Sequence, residues 1–396
     1  MESLKYGVEV TVAMLGIALL AGIAAQRTGL PYVVLMLAIS LPLQLPRVIG
    51  DRFTPLLLFV FLPALVFEAA WNLDLAALRR YWRPILILAV PGVLISALCV
   101  AGGLVLLGLL PLLPALLLGA ILSATDPIAV IAIFRRLRVP ADLQTIVESE
   151  SLFNDGVAVV LTGLFTVALA SGALGFDLAG SGFKFFEVTA GGAAIGLAAA
   201  GLLVFLLRSV PDPMLLVVGT VVAAYGAYLA ADRLALSGIF AVLAVGIALR
   251  ALPGFPTKAA AEDVDRFWAT LAFFANSLVF LAMGLRIEFD RMIHEPKLVL
   301  ATLGLLIAVR VILSYVALPF SGLRPGMHSW LHVIALSGIR GALSVALALG
   351  LPQSLPYRAE IIDAVFGVVV VTIVGQGLAL PVVLRRLRFP AFEGRV

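Results

Sequence analysis

The stretch ESLFNDGVAVV, residues 150–160, sets Glu150, Ser151, Asn154 and Asp155 at the head of a long apolar segment. On a helix, residues four apart stack on one face, so the Ser151 hydroxyl and the Asp155 carboxylate point the same way, with Glu148 a turn below. Hydroxyl and carboxylate oxygens are hard donors suited to a cation such as Na⁺. Glu150 and Asn154 share a neighbouring face about 100° round, which leaves them a second role such as pairing with an arginine. The plainer alternative is that these polar groups bond helices to one another.

Two further stretches belong with the first. In SATDPIAV, residues 123–130, Pro127 removes a backbone donor and crowds the preceding turn, so the helix should break beside Asp126. Broken backbone at mid-membrane is tolerated where it lines a cavity, and a freed carbonyl such as that of Thr125 is a good ligand for Na⁺. A simple proline kink with a capping Asp is the bland reading. In LSGIRGALSVALALGLP, residues 336–352, Gly338 and Gly341 bracket Arg340 and loosen the helix where a charge is buried. Arg340 is then expected either to neutralise an opposing helix end or to pair with Glu150.

The elements that must hold these residues follow from composition. With 62% hydrophobic and 13% charged residues over 396, and a mean hydropathy of +1.15, the chain is far too apolar for one water-soluble core. An all-α polytopic membrane protein is predicted, with about thirteen spans near 6–25, 30–46, 53–70, 83–108, 111–134, 143–171, 183–207, 213–231, 235–250, 267–286, 298–318, 329–350 and 359–384. The first segment reads as a helix and not a cleaved signal, since no clear cleavage site precedes QRTGLP. Residues 1–396 form one transmembrane domain. Alternate loops carry sixteen Lys and Arg against nine, which favours the N-terminus outside and the C-terminus in the cytoplasm of a cell (inner) membrane. The net charge of +4 is thus topological, and no nucleic-acid site is read from it. The single cysteine, Cys99, excludes a disulfide or Cys-metal framework.

A charge at bilayer depth costs about 2.5–3.5 kcal/mol on insertion scales, so each one needs a reason. Four acids (Glu68, Asp126, Glu150, Asp155) face two bases (Arg310, Arg340), an imbalance that protons or a bound cation would correct. Spans five and twelve run in opposite directions, each interrupted within a block of three. This topology predicts inverted repeats with two discontinuous helices crossing at the midplane.

FEAAWNLD, ATDPIAV, ESLFNDGVAVV and GIRGALSVALALGLP, in this order across the whole chain, closely resemble the monovalent cation:proton antiporter-1 family, the NhaP-like Na⁺/H⁺ exchangers. The resemblance implies Asp155 as the carboxylate that holds either ion or proton, with Asp126, the Thr125 carbonyl and the Ser151 hydroxyl as further ligands of the transported Na⁺. It implies Glu68 acting through water, a buried Glu150–Arg340 ion pair, and Asn154 as a brace whose presence goes with electroneutral 1:1 exchange. It also implies a homodimer, with spans 1–3 and 7–10 as scaffold and 83–171 and 298–384 as a mobile ion-translocating core. No cofactor is expected beyond the transported Na⁺ and H⁺, and no enzymatic activity.

The chemistry stands without the resemblance. A dry site disfavours an ionised carboxylate and a cation favours it, so proton and cation compete for one place. A cation channel would use the same carboxylates. An intramembrane aspartyl protease would need YD and GxGD contexts that neither Asp126 nor Asp155 has. His328 and His332 are four apart and could bind metal or sense pH, though packing at the membrane interface is the simpler reading; His294 falls in a loop. Arg310 is left as a core charge seeking an acid or a helix end.

Overall fold

The computed structural model describes residues 2–28, 32–40, 60–172, 178–208, 210, 212–252, 255, 258–284, 296–321 and 328–387. Every regular element among them is helical. In chain order the helices are α1 (Glu2–Thr28), α2 (Tyr32–Ser40), α3 (Leu62–Trp71), α4 (Leu75–Arg80), α5 (Trp82–Leu106, bent before Pro91), α6 (Leu112–Ser123), α7 (Pro127–Leu137) and α8 (Ala141–Ala170). There follow α9 (Leu178–Leu207), α10 (Pro213–Arg233), α11 (Gly238–Ala251), α12 (Lys258–Gly284), α13 (Pro296–Ala317), α14 (His328–Leu336), α15 (Ala342–Leu349) and α16 (Arg358–Arg386).

Among the described residues seven helices are long and apolar enough to cross a bilayer unaided. The remaining expected spans appear as shorter helices, and two as broken pairs. The span expected at 111–134 is α6 plus α7, and that at 329–350 is α14 plus α15. The second and third expected spans are described only over Tyr32–Ser40 and from Val60 onward, while Arg286 and His294 lie outside the described residues.

Local sequence sets the ends. Asp74, Asp212 and Ser237 cap α4, α10 and α11 by accepting backbone N–H groups of the first turn, and Pro213 follows its cap at the first helical position. Past α5, Gly108 takes φ +67, and Leu109 N–H returns to the Leu104 carbonyl at 3.0 Å, closing the helix with a left-handed residue. Two features have no counterpart in the expected pattern: single π-helical turns at Leu313–Ala317 in α13 and Thr372–Gln376 in α16.

Buried side chains gather in two clusters. One joins α5–α8 and α13–α16, with residues of α1, α2 and the end of α12 packed into it; the other joins α3, α9–α11 and the start of α12. Close approach inside the second depends on glycines a turn apart, since a Cβ at Gly192 or Gly196 of α9 would run into the carbonyl of Ser237, the cap of α11, or of Ala241 within it. Gly196→Leu is therefore expected to destabilise the fold by about 1–3 kcal/mol, read as a lower thermal midpoint in detergent. Gly201→Leu, where nothing lies within contact range, should leave the midpoint near wild type.

Candidate functional site

Pro127 has no N–H to continue the ladder, so α6 stops at Ser123 and α7 starts afresh with Pro127 at its first position. Residues 124–126 are non-helical, and so are 338–341 between α14 and α15. The two segments cross in contact: Asp126 N–H donates to the Ile339 carbonyl at 2.8 Å. A Cβ at Gly341 would collide with the Cβ and carboxylate of Asp126, so the crossing requires glycine there.

Each broken helix presents an interior C-terminal end with surplus carbonyls and an interior N-terminal end with surplus N–H groups. An arginine reaches each C-terminal end. Arg340 Nη1 donates to the carbonyls of Ser123 and Ala124 at 2.7 and 3.2 Å, and Arg310 Nε donates to Ile334 in α14 at 3.1 Å. Asp126 lies beside both N-terminal ends, as the residue before α7 and in contact with Gly341 before α15. Ser344 adds a bond from α15 to the Ile121 carbonyl in α6 at 2.9 Å. The helix after each break also braces it: Asn154 Oδ1 of α8 accepts the Thr125 N–H at 3.4 Å, and Thr372 Oγ1 of α16 accepts the Arg340 N–H at 3.2 Å. Thr372 stands at the head of the π-helical turn in α16.

The expected Glu150–Arg340 pair is corrected. Glu150 accepts from both terminal guanidinium nitrogens of Arg310, Nη1 and Nη2, at 2.7 and 2.8 Å, and both residues are buried. The extended segment carrying Arg340 runs across the end of α6, and its guanidinium is taken up by the orphan carbonyls there. Arg310, one α13 turn from the π-helical segment, is the arginine that reaches α8. The alternative expectation for Arg340, neutralising a helix end, describes what it does.

Asn154 links the pair to the break, donating from Nδ2 to Glu150 Oε1 at 2.9 Å and to Thr125 Oγ1 at 2.8 Å. Thr125 Oγ1 also meets Ser151 Oγ at 2.9 Å. Ser151 is thus buried one layer behind Thr125, while Asp155 faces forward. A cavity of about 680 Å³ is walled by Thr125, Asp126, Pro127 and Asp155 on one side and by Glu68, Asp265 and Asn276 on the other. Its lining includes the exposed Asn72 and Arg135 and the half-buried Glu148. Glu68 accepts Asn72 Nδ2 at 3.0 Å. The Thr125 N–H also faces the Asp155 carboxylate, but Asp155 Oδ1 is enclosed with no hydrogen-bond partner among the described residues.

Of the remaining candidates, His332 Nδ1 bonds the Tyr315 hydroxyl of α13. Sequence reasoning missed Thr372, Asn276 and Asp265, which carry no motif, and it left Arg310 without a partner although a buried arginine in an apolar span demands one.

Crossed broken helices with a half-enclosed carboxylate facing a surface-connected cavity, in a frame of apolar spans, define an inverted-repeat secondary transporter. Residues 15–386 match the family described as sodium/hydrogen exchanger, transmembrane, and the chain belongs to that family. It is 37% identical to the Na(+)/H(+) antiporter ApNhaP of Aphanothece halophytica over 98% of this chain and 75% of that one. It is 35% identical to the low-affinity Na(+)/H(+) antiporter NhaS1 of a Synechocystis strain, over 97% and 76%. The fold matches the solved sodium proton antiporter MjNhaP1 of Methanocaldococcus jannaschii with a TM-score of 0.79 at 20% identity, covering 98% of this chain and 99% of that one.

The corrected pairing is testable by stability alone. Removing one partner of a buried ion pair costs about 3–5 kcal/mol, so Arg310→Gln should lower the thermal midpoint sharply, and Glu150→Gln/Arg310→Gln should recover much of the loss. Glu150→Gln/Arg340→Gln should instead be worse than either single variant.

Proposed function

We propose that this protein exchanges a monovalent cation, Na⁺ in the first place, for H⁺ across a cell membrane, with cation and proton competing at Asp155. The observation that carries this reading is the Asp155 carboxylate: it faces the cavity with one oxygen that has no hydrogen-bond partner among the described residues, while Glu150, Arg310 and Arg340 are held by named partners. Asp126 and the Thr125 carbonyl border the same space and are proposed as further ligands, and Glu68, across the cavity, as a ligand through water. Ser151 acts from behind, by fixing the Thr125 hydroxyl. Glu150, Arg310, Arg340, Asn154 and Pro127 keep the crossing in register.

The cycle follows from charge. An empty site carries net negative charge that a bilayer resists, whereas the site loaded with either H⁺ or Na⁺ is closer to neutral. Loaded forms therefore cross more easily than the empty one, and exchange becomes obligatory. With one exchangeable carboxylate and a neutral amide at Asn154, the stoichiometry is proposed as electroneutral 1:1. Positive residues on the loops beside the cavity mouth support a cytoplasmic mouth, an N-terminus outside and an inward-open form as part of the proposal. The moving core is proposed as 83–171 and 298–384. Spans 1–3 and 7–10 form the scaffold of a homodimer, α9 offering it an exposed apolar face with Phe183, Phe186 and Phe205.

In proteoliposomes holding a preformed pH gradient, external Na⁺ should dissipate the gradient at a rate unchanged by clamping the membrane potential. Asp155→Asn should reduce that rate to the protein-free background; Na⁺-driven proton flux at the wild-type rate in this variant would refute the assignment. A saturating rate that vanishes without a counter-moving proton excludes a channel. Competition at one site has a second signature: the apparent KM for Na⁺ should rise as pH falls, by up to about tenfold per unit in the acid limb, with the maximal rate nearly constant. Repeating the series with Li⁺ and K⁺ sets selectivity.

A further inference from the structure

We propose that the segment Arg79–Arg83, with the start of α5, is a binding site for the headgroup of an anionic phospholipid. The sequence there reads RRYWRP, and the exchange mechanism uses none of it. Arg79, Arg80 and Arg83 are exposed, and among the described residues no carboxylate lies within ion-pairing distance of Arg79 or Arg83. Arg80 alone reaches an acid, Asp142, at 3.4 Å. Between them Trp82 is 53% exposed, with the Arg83 guanidinium over its ring at 5.6 Å.

The neighbouring surface argues for a lipid over a soluble phosphate. Along α5 the exposed side chains after Arg83 include Leu86, Leu94, Ile95 and Leu98, an apolar wall that begins where the arginines end. A ligand that satisfies both parts has a negative head and a hydrocarbon chain, and indole rings favour the boundary between the two. The platform is held firmly: the Tyr81 hydroxyl donates to Asp142 Oδ2 of α8 at 2.8 Å, and its ring packs against Trp330 of α14. The three cationic groups are therefore presented on a fixed support, on the connection between α3 and α5.

The tryptophans supply the assay. The chain has four, and Trp71, Trp268 and Trp330 are fully buried, which leaves Trp82 as the one that lipid can touch. The full chain is reconstituted in phosphatidylcholine with a minor fraction of phosphatidylglycerol, placing brominated chains on one lipid or the other, and tryptophan quenching per mole of brominated lipid is compared. Phosphatidylglycerol should quench roughly fivefold more effectively in the wild type, and the preference should fall in high salt. It should drop to parity in Arg79→Gln/Arg83→Gln with the thermal midpoint unchanged, return in Arg79→Lys/Arg83→Lys, and disappear with the quenching itself in Trp82→Phe. Parity in the wild type would overturn the proposal. So would an undiminished preference in the glutamine variant, quenching that survives Trp82→Phe, or abolition by soluble glycerol phosphate. None of these readouts needs transport, so the outcome is independent of the proposed exchange.

Discussion

A helix that stops inside a bilayer leaves N–H and C=O groups with no water to take them, each costing several kcal/mol if left alone. Two such helices here solve the problem for one another. The backbone of one break bonds the other through Asp126 and Ile339, and Arg340 from the second closes the carbonyl end of the first. The following helix in each half supplies an oxygen to one remaining N–H, Asn154 in one and Thr372 in the other. Each break thus takes part of its hydrogen bonding from the other. That mutual dependence explains why a proline, a glycine and an arginine stand where an ordinary span would hold leucines.

The same crossing sorts the charges. Burying an ion pair is rarely a net gain in stability, but once formed it is costly to separate and so fixes register. The two-pronged Glu150–Arg310 bond does this between α8 and α13, and Arg310 also holds the end of α14 through Ile334. Glu150 is thereby withdrawn from the cavity although it is only five residues from Asp155. Adjacent carboxylates on one helix come to serve different ends because the helix turns one toward a guanidinium and the other toward open space.

Spans and breaks were legible in the chain because both are local. Long apolar runs, Pro127 after Asp126 and the glycines around Arg340 each act on their own stretch of backbone. The spacing put Ser151 and Asp155 together, yet Ser151 lies behind Thr125 while Asp155 lines the cavity, since burial depth depends on what packs in front and periodicity is blind to it. The choice between Arg310 and Arg340 as partner of Glu150 is non-local, decided by which side of α8 each neighbouring segment passes. The π-helical turns in α13 and α16 left no trace either, because inserting one residue in an apolar run leaves an apolar run. The start of α12 at Lys258 rather than near 267 was hidden by the charged stretch AEDVDR, which is helical but breaks the apolar pattern.

Asn154 shows how packing and stoichiometry become one question. Its amide is fully used: both donors are spent on Glu150 and Thr125, and its oxygen takes the Thr125 N–H. A carboxylate at this position could accept the N–H but has no donor for Glu150 Oε1, which it would face within hydrogen-bonding distance as a like charge. It could keep the bond only by carrying a proton of its own. An exchanger with Asp here would thus have a second protonated group at the crossing, whose proton could be released and regained in the cycle. With Asn, the brace has nothing to release. On the proposed reading, the residue that holds the broken helix in register is also the one that limits the exchangeable charge to a single carboxylate.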